Sequence, residues 1–212
     1  MAGRFITFEG GEGAGKTTHA RLLADALRAA GLDVVETREP GGTPGAEQIR
    51  ELLIHGEVGR WDAMSEALLH FAARRDHVRR VIQPALAAGK WVLSDRFADS
   101  TMAYQGYGHG LGREVIEQLY ALTVGALVPD LTVVLDLPID VGLRRTAKRR
   151  EKDERYMKLG RNFHERVRSG FSEIVSRNSS RCILLSSDEP IERVSMKIWQ
   201  IITSRFLEQM NK

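Results

Sequence analysis

One cysteine in 212 residues, Cys182, leaves no partner for an intramolecular disulfide, and its place in the apolar run 182–185 reads as a small buried hydrophobe rather than a nucleophile. No apolar stretch approaches the roughly 20 residues that a membrane-spanning helix needs, so no membrane partner is expected. The first residues lack the charged, apolar and small-residue succession of a secretory signal, and with the lone cysteine this points to a cytoplasmic protein. Proline- or serine-rich linkers, internal repeats and low-complexity segments are missing too. A single domain over residues 1–212 is therefore expected, with the Pro-Gly-Gly-Thr-Pro-Gly stretch at 40–45 as a loop inside it. Net charge is only +3, and it is uneven: residues 144–168 hold eleven Lys/Arg against four Asp/Glu, which leaves the rest of the chain at −4. That distribution lacks the broad basic surface of a nucleic-acid binder, so no nucleic-acid partner is expected. The local excess fits either cations closing over a phosphate or a solvated, charged helix face.

The chain does carry a complete G-x-x-x-x-G-K-[ST] phosphate loop, Gly10-Gly11-Glu12-Gly13-Ala14-Gly15-Lys16-Thr17, between an apolar run at 5–8 and a helical stretch beginning near Lys16. Glycines let successive backbone N–H groups turn inward around phosphate oxygens, and the following helix presents its positive end. Lys16 can reach the β- and γ-phosphates and Thr17 can ligate Mg²⁺, so a nucleoside triphosphate, ATP, is the expected donor, with Thr18 in the same binding segment. Further short apolar runs stand at 33–37, 91–95, 131–136 and 182–185. Helical patterns fall between and after them, at 17–30, 46–54, 63–88, 113–126, 140–149, 162–175 and 192–210. This alternation predicts a three-layer α/β fold of the P-loop kind, a five-stranded parallel sheet flanked by helices. Ligands of such sheets sit outside the carboxyl ends of the strands.

Those ends are rich in chemistry. Arg38, Glu39 and Pro40 follow the second run, and Ser94-Asp95-Arg96-Phe97 closes the third, with Ser100, Thr101, Tyr104 and Gln105 just beyond. Asp95 suits a metal partner and Arg96 a planar fork on phosphate, although for the dipeptide taken alone a local ion pair is the preferred reading. Phe71 and Arg75 are four apart in a helical pattern and share a face, where a ring beside a guanidinium could clamp a planar base; Phe71 also reads as a core residue.

Five segments taken in order closely resemble the bacterial thymidylate kinases: 9–18, Glu-Gly-Gly-Glu-Gly-Ala-Gly-Lys-Thr-Thr; 37–43, Thr-Arg-Glu-Pro-Gly-Gly-Thr; 71–75, Phe-Ala-Ala-Arg-Arg; 95–97, Asp-Arg-Phe; and 100–106, Ser-Thr-Met-Ala-Tyr-Gln-Gly. The resemblance implies ATP-dependent phosphorylation of dTMP to dTDP in a homodimer. It makes Lys16 and Thr17 the phosphate and Mg²⁺ anchors, with Asp95 supporting the metal. Glu12 would lie near the deoxyribose 3′-hydroxyl, and Arg38 and Arg96 would hold the acceptor phosphate. Phe71 would stack on thymine, Arg75 would donate to its O4, Thr101 and Gln105 would read the base edge, and Arg50 and Tyr104 would line the pocket. The bacterial branch lacks an arginine within the phosphate loop and supplies one from a lid, here about 144–160, so Arg149, Arg150 and Arg155 are the candidate catalytic cations. Two departures qualify the match. Arg74 stands beside Arg75, so the choice between them rests on spacing to Phe71, and Met157-Lys158 follows Tyr156 where the family commonly has an acidic residue.

A kinase for another nucleoside monophosphate is the nearest alternative. A regulatory P-loop switch would carry Asn-Lys-x-Asp and Asp-x-x-Gly segments, and neither occurs.

Overall fold

The computed structural model describes residues 3–149 and 154–208. Its centre is one parallel sheet of β1 (Phe5–Gly10), β2 (Val34–Arg38), β3 (Trp91–Asp95), β4 (Leu131–Asp136) and β5 (Cys182–Ser186), in the order β2-β3-β1-β4-β5. The sequence places all five, with the ends of the first, second and last off by one or two residues. The three inner strands are buried on both faces, as uninterrupted apolar runs require. The edge strands β2 and β5 are half-open, and Leu184 is 44% exposed. Within the apolar centre, Thr7 and Thr132 face each other across the β1–β4 register and satisfy one another at 2.8 Å.

The helices are α1 (Lys16–Ala29), α2 (Pro44–Ile54), α3 (Ala63–His77), α4 (Gln83–Ala87), α5 (Ala98–Thr101), α6 (Arg113–Thr123), α7 (Ile139–Arg149), α8 (Glu154–Met157), α9 (Arg161–Arg177) and α10 (Ile191–Ile202). Thr43 caps α2 by accepting from Ala46 N, and Asp62 caps α3 by accepting from Met64 N and Ser65 N. The single helix expected over 63–88 is real in outline, but a π-helical turn, Val78–Ile82, joins α3 to α4 ahead of Pro84, which has no N–H to donate. A second π-helical stretch, Met102–Gly108, extends α5; no element was expected there. Such π segments gather at functional sites, and this one carries Tyr104 and Gln105.

Because β1 lies between β3 and β4, the chain reverses direction across the sheet at the carboxyl end of β1. A crevice opens there. The loop after β1, the turn after β3, the π segment and the start of α7 all meet in it.

Candidate functional site

The phosphate loop leaves β1 at Gly10 (φ 131°), where a Cβ would stand 2.3 Å from Leu135 O, and enters α1 through Gly15 (φ 87°). No side chain caps α1 and its first turn holds no acid, so its N–H groups and positive dipole end face the loop. Lys16 folds back to donate to Gly11 O at 2.8 Å. Burial, and next the charge of Arg96, lower its pKa. Thr17 Oγ1 donates to Asp95 Oδ2, which brings two oxygen donors together beside Gly15. An all-oxygen pair fits a hard divalent ion that keeps waters and phosphate oxygens as its remaining ligands.

Arg96 is the hub between loop and acceptor side. It alone among the described non-glycine residues has a positive φ, 69°. From that turn Nη1 donates to Gly10 O (3.1 Å) and Ser100 Oγ (3.0 Å), and Nη2 to Glu12 Oε1 (2.9 Å). Tyr104 donates its hydroxyl to the same Glu12 oxygen at 2.7 Å, and the guanidinium lies 5.1 Å over the Tyr104 ring. Burial alone would raise the Glu12 carboxyl, but Arg96, Lys16 and Tyr104 outweigh it and hold Glu12 at about 2. The local-ion-pair reading of Asp95 and Arg96 gives way to a division of labour: Asp95 turns to Thr17, Arg96 to Glu12.

Beside this hub a cleft is lined by Glu12, Pro40, Arg50, Ile54, His70, Arg74, Arg96, Thr101, Tyr104, Gln105 and Tyr156, among others. Arg50 donates to Pro40 O at 3.1 Å, across the cis Glu39–Pro40 peptide. Arg38 sits further out, in the neighbouring phosphate-loop cavity, where it meets both carboxylate oxygens of Glu47 at 3.0–3.1 Å.

Three expectations are corrected here. Arg75 does not enter the cleft; it turns outward and donates to Thr123 O at 3.0 Å. Arg74 enters instead, 2% exposed, with Nε on Glu39 Oε2 (2.7 Å) and Nη2 on Thr101 Oγ1 (2.9 Å) and Phe97 O (3.1 Å). A helix puts both i+3 and i+4 beside a given residue, so spacing to Phe71 could not choose between the two arginines. Phe71 is a core ring packed under Arg74 Cζ at 4.8 Å, and the ring that lines the cleft is its neighbour His70. Burial pushes His70 down to about 4, which keeps it neutral, and its Nε2 lies 3.0 Å from Tyr156 Oη.

Arg155, expected over the phosphates, is buried behind the lining residue Tyr156: Nε donates to Leu53 O (2.8 Å) and Nη2 pairs with Glu66 Oε2 (2.6 Å). Through that one nitrogen it meets a buried carboxylate, Glu66, that sequence reading had not singled out. Burial favours the neutral acid there, yet His109, whose Nε2 lies 3.6 Å from Oε1, and the charge of Arg155 hold Glu66 at about 2. Arg150 lies outside the described residues, as does the side chain of Arg149.

Glu66 also orients Gln105, accepting from Nε2 at 2.7 Å. This fixes the amide, because a carboxylate can only accept, and leaves Oε1 as the free end. Among the described residues three buried side-chain polar atoms have no partner: Arg74 Nη1, Gln105 Oε1 and His164 Nε2. The first two belong to the cleft. One is an obligate donor and the other an acceptor, and each left unmet costs about 1–3 kcal/mol. The members given no role from sequence are Arg74, His70, Glu39, Glu66 and Tyr156; the Arg74-Arg75 doublet and the place of Glu39 at the end of β2 were the signals on offer.

The family model for thymidylate kinase matches residues 8–198. A thymidylate kinase of Caulobacter vibrioides is 52% identical over 203 residues, 96% of this chain and 97% of that protein. One of Magnetococcus marinus is 47% identical over 206 residues, 97% of this chain and 98% of that protein. The crystal structure of thymidylate kinase from Ehrlichia chaffeensis superposes with a TM-score of 0.77 at 36% identity, over 95% of this chain and 99% of that one.

Proposed function

The chain belongs to the thymidylate kinase family and phosphorylates dTMP, and we propose that it does so by passing the γ-phosphoryl group of ATP in line to the 5′-phosphate of dTMP, yielding ADP and dTDP. The observation that carries the acceptor assignment is the pair of unmet atoms, Arg74 Nη1 and Gln105 Oε1. A thymine presents a carbonyl acceptor, O4, next to a donor, N3–H, and satisfies both. Cytosine reverses that order and would leave donor facing donor and acceptor facing acceptor. His70 offers its neutral ring to the base, while Thr101 and Glu39 brace Arg74. The Glu12–Tyr104 pair forms the floor toward the sugar, Glu12 receiving the 3′-hydroxyl as a carboxylate.

Phosphoryl transfer needs positioning and charge neutralisation more than covalent chemistry. Backbone N–H groups of Gly10, Gly11, Glu12, Gly13, Ala14 and Gly15, with Thr18 behind them, would cradle the donor phosphates. Lys16 would follow the charge that develops on the transferring group, and Arg96, with Arg38 and Arg50 at the entrance, would hold the acceptor phosphate against repulsion. Thr17 and Asp95 would hold Mg²⁺, which would supply positive charge against the donor phosphates. A lid over 144–160 would bring Arg149 or Arg150 to the phosphates. Arg155, engaged by Glu66, serves the base pocket.

The proposed unit is one kinase domain over 1–212, working in the cytoplasm as a homodimer. No described helix is long and apolar enough to cross a membrane. A coupled ADP-release assay with ATP and Mg²⁺ across dTMP, dUMP, dCMP, dAMP, dGMP and UMP tests the reading. Turnover should be greatest with dTMP and weakest with dCMP and the purines; efficient use of dCMP would overturn the base-edge assignment, and inactivity on dTMP the function itself.

A further inference from the structure

We propose that Glu9 is a positioning residue for Arg96, holding the left-handed turn from which that guanidinium reaches the acceptor phosphate. Glu9 stands on β1 one residue before the phosphate loop, fully buried, and takes no part in the transfer described above. Its Oε1 accepts from Phe97 N at 2.8 Å and its Oε2 accepts from Ser100 Oγ. The two contacts bracket the turn. Phe97 N is the amide directly after Arg96, while Ser100 Oγ is itself the acceptor for Arg96 Nη1 at 3.0 Å.

A non-glycine residue at φ 69° needs surroundings that over-determine it. Here β1 supplies them from two consecutive residues, Phe8 O accepting from Arg96 N at 2.9 Å and Glu9 accepting from Phe97 N. With Glu9 gone, the amide of Phe97 loses its acceptor and the serine its fixed orientation. The backbone is then free to relax toward a right-handed conformation, which would draw Nη2 away from Glu12 and Nη1 away from Gly10 O. Burial first, and the charge of Asp99 next, push Glu9 up to about 8, so the group sits in the fold as a neutral acid. A glutamine mimics that acid: its carbonyl accepts from Phe97 N, and its amide reverses the serine contact, donating to Ser100 Oγ as the O–H of a neutral acid can, which leaves the serine a lone pair for Arg96.

This inference rests on the kinase reading, and the two fail differently: an inactive native protein defeats the kinase reading, an unaffected variant defeats this one. The experiment is steady-state kinetics with dTMP and ATP on Glu9→Ala, Glu9→Gln and Ser100→Ala, with folding checked by circular dichroism. Folded Glu9→Ala should lose about 50-fold or more in kcat and show a raised KM for dTMP, with KM for ATP within about twofold. Glu9→Gln should stay within about threefold of the native enzyme, and Ser100→Ala should show the same pattern more weakly, about five- to tenfold. The idea is overturned by a folded Glu9→Ala with native turnover, by Glu9→Gln as impaired as Glu9→Ala, or by equal losses for both substrates. Should Glu9→Ala fail to fold, native constants in Ser100→Ala overturn it alone.

Discussion

Arg74 and Arg75 are adjacent, chemically identical and oppositely placed, one buried among Glu39, Thr101 and Phe97 and the other bonded to Thr123 O at the surface. Arg74→Ala should therefore cost ~10²-fold or more in kcat/KM for dTMP, the range expected when a site built for a hydrogen bond loses one member. Arg75→Ala should stay within about threefold, since it removes one exposed bond. Kinetics in which Arg75→Ala is the worse of the two would restore the arginine chosen by spacing. This also marks how far the site was legible. Residues whose place follows from backbone position within a motif, Lys16, Thr17, Asp95 and Arg96, could be located at the crevice directly. Those chosen by a helix's orientation could not, because a 3.6-residue period leaves i+3 and i+4 equivalent until tertiary burial selects between them. Glu66 and Glu39 were hidden for a related reason: a buried carboxylate looks like any other until the arginine opposite is known. Carboxylates also carry the pH response. Glu12 and Glu66, held at about 2, stabilise the fold above their unfolded values, and that stability fades as pH falls from about 4.5 toward 2. Glu9, raised to about 8, acts with the opposite sign, since the fold then binds a proton that the unfolded chain releases: its contribution is complete below about pH 4.5 and drains away as pH climbs to 8. Urea titrations at pH 5.5 and pH 8 should show native protein losing more stability over that interval than Glu9→Gln; equal losses would refute the raised acid.

At the level of elements, the five strands were legible because burial on both faces leaves a continuous apolar run, and the long helices because their apolar stripes recur at helical spacing. The π segment Met102–Gly108 was not, since a wider helical turn answers to packing and not to a local pattern: Gly108 and Gly170 admit Phe163 and Tyr107, where a Cβ would stand 2.7 and 2.8 Å from those rings. Another contact invisible in sequence joins α7 to the phosphate loop. A Cβ on Gly142 would lie 2.3 Å from Glu12 O, and one on Gly13 2.4 Å from Gly142 O, backbone against backbone with no side chain to swing aside. The helix that leads into the proposed lid thus bears directly on the loop proposed to hold ATP. Gly142→Ala should push the loop from α7, raising KM for ATP more than KM for dTMP, about tenfold against about twofold, and lowering the melting temperature. An unchanged KM for ATP would mean that α7 yields and the loop does not depend on it.

At the scale of the whole molecule, α3 and α6 lie side by side, tied by Arg75 to Thr123 O, and both turn apolar residues outward: Met64, Leu68 at 49% exposure and Leu122 at 82%. Scattered surface leucines need no explanation, but apolar side chains exposed on two helices that pack together offer area whose burial is favourable at about 25 cal/mol per Å². The occupant consistent with the proposed homodimer is the same face of a second copy, because a two-fold axis makes one patch its own complement. The acceptor pocket would then be stiffened from outside, since α3 carries Glu66, His70 and Arg74 on its inner side while its outer side packs on the partner. Placing a carboxylate at two of these positions sets like charges against each other across the axis and desolvates them. Leu68→Glu/Leu122→Glu should sediment as a monomer at concentrations where the native chain sediments as a dimer. Its KM for dTMP should rise while its KM for ATP, set by a loop on the other side of Arg96, should change little. A native chain that is monomeric at tens of micromolar would overturn the homodimer, and a double variant that still pairs would place the interface elsewhere.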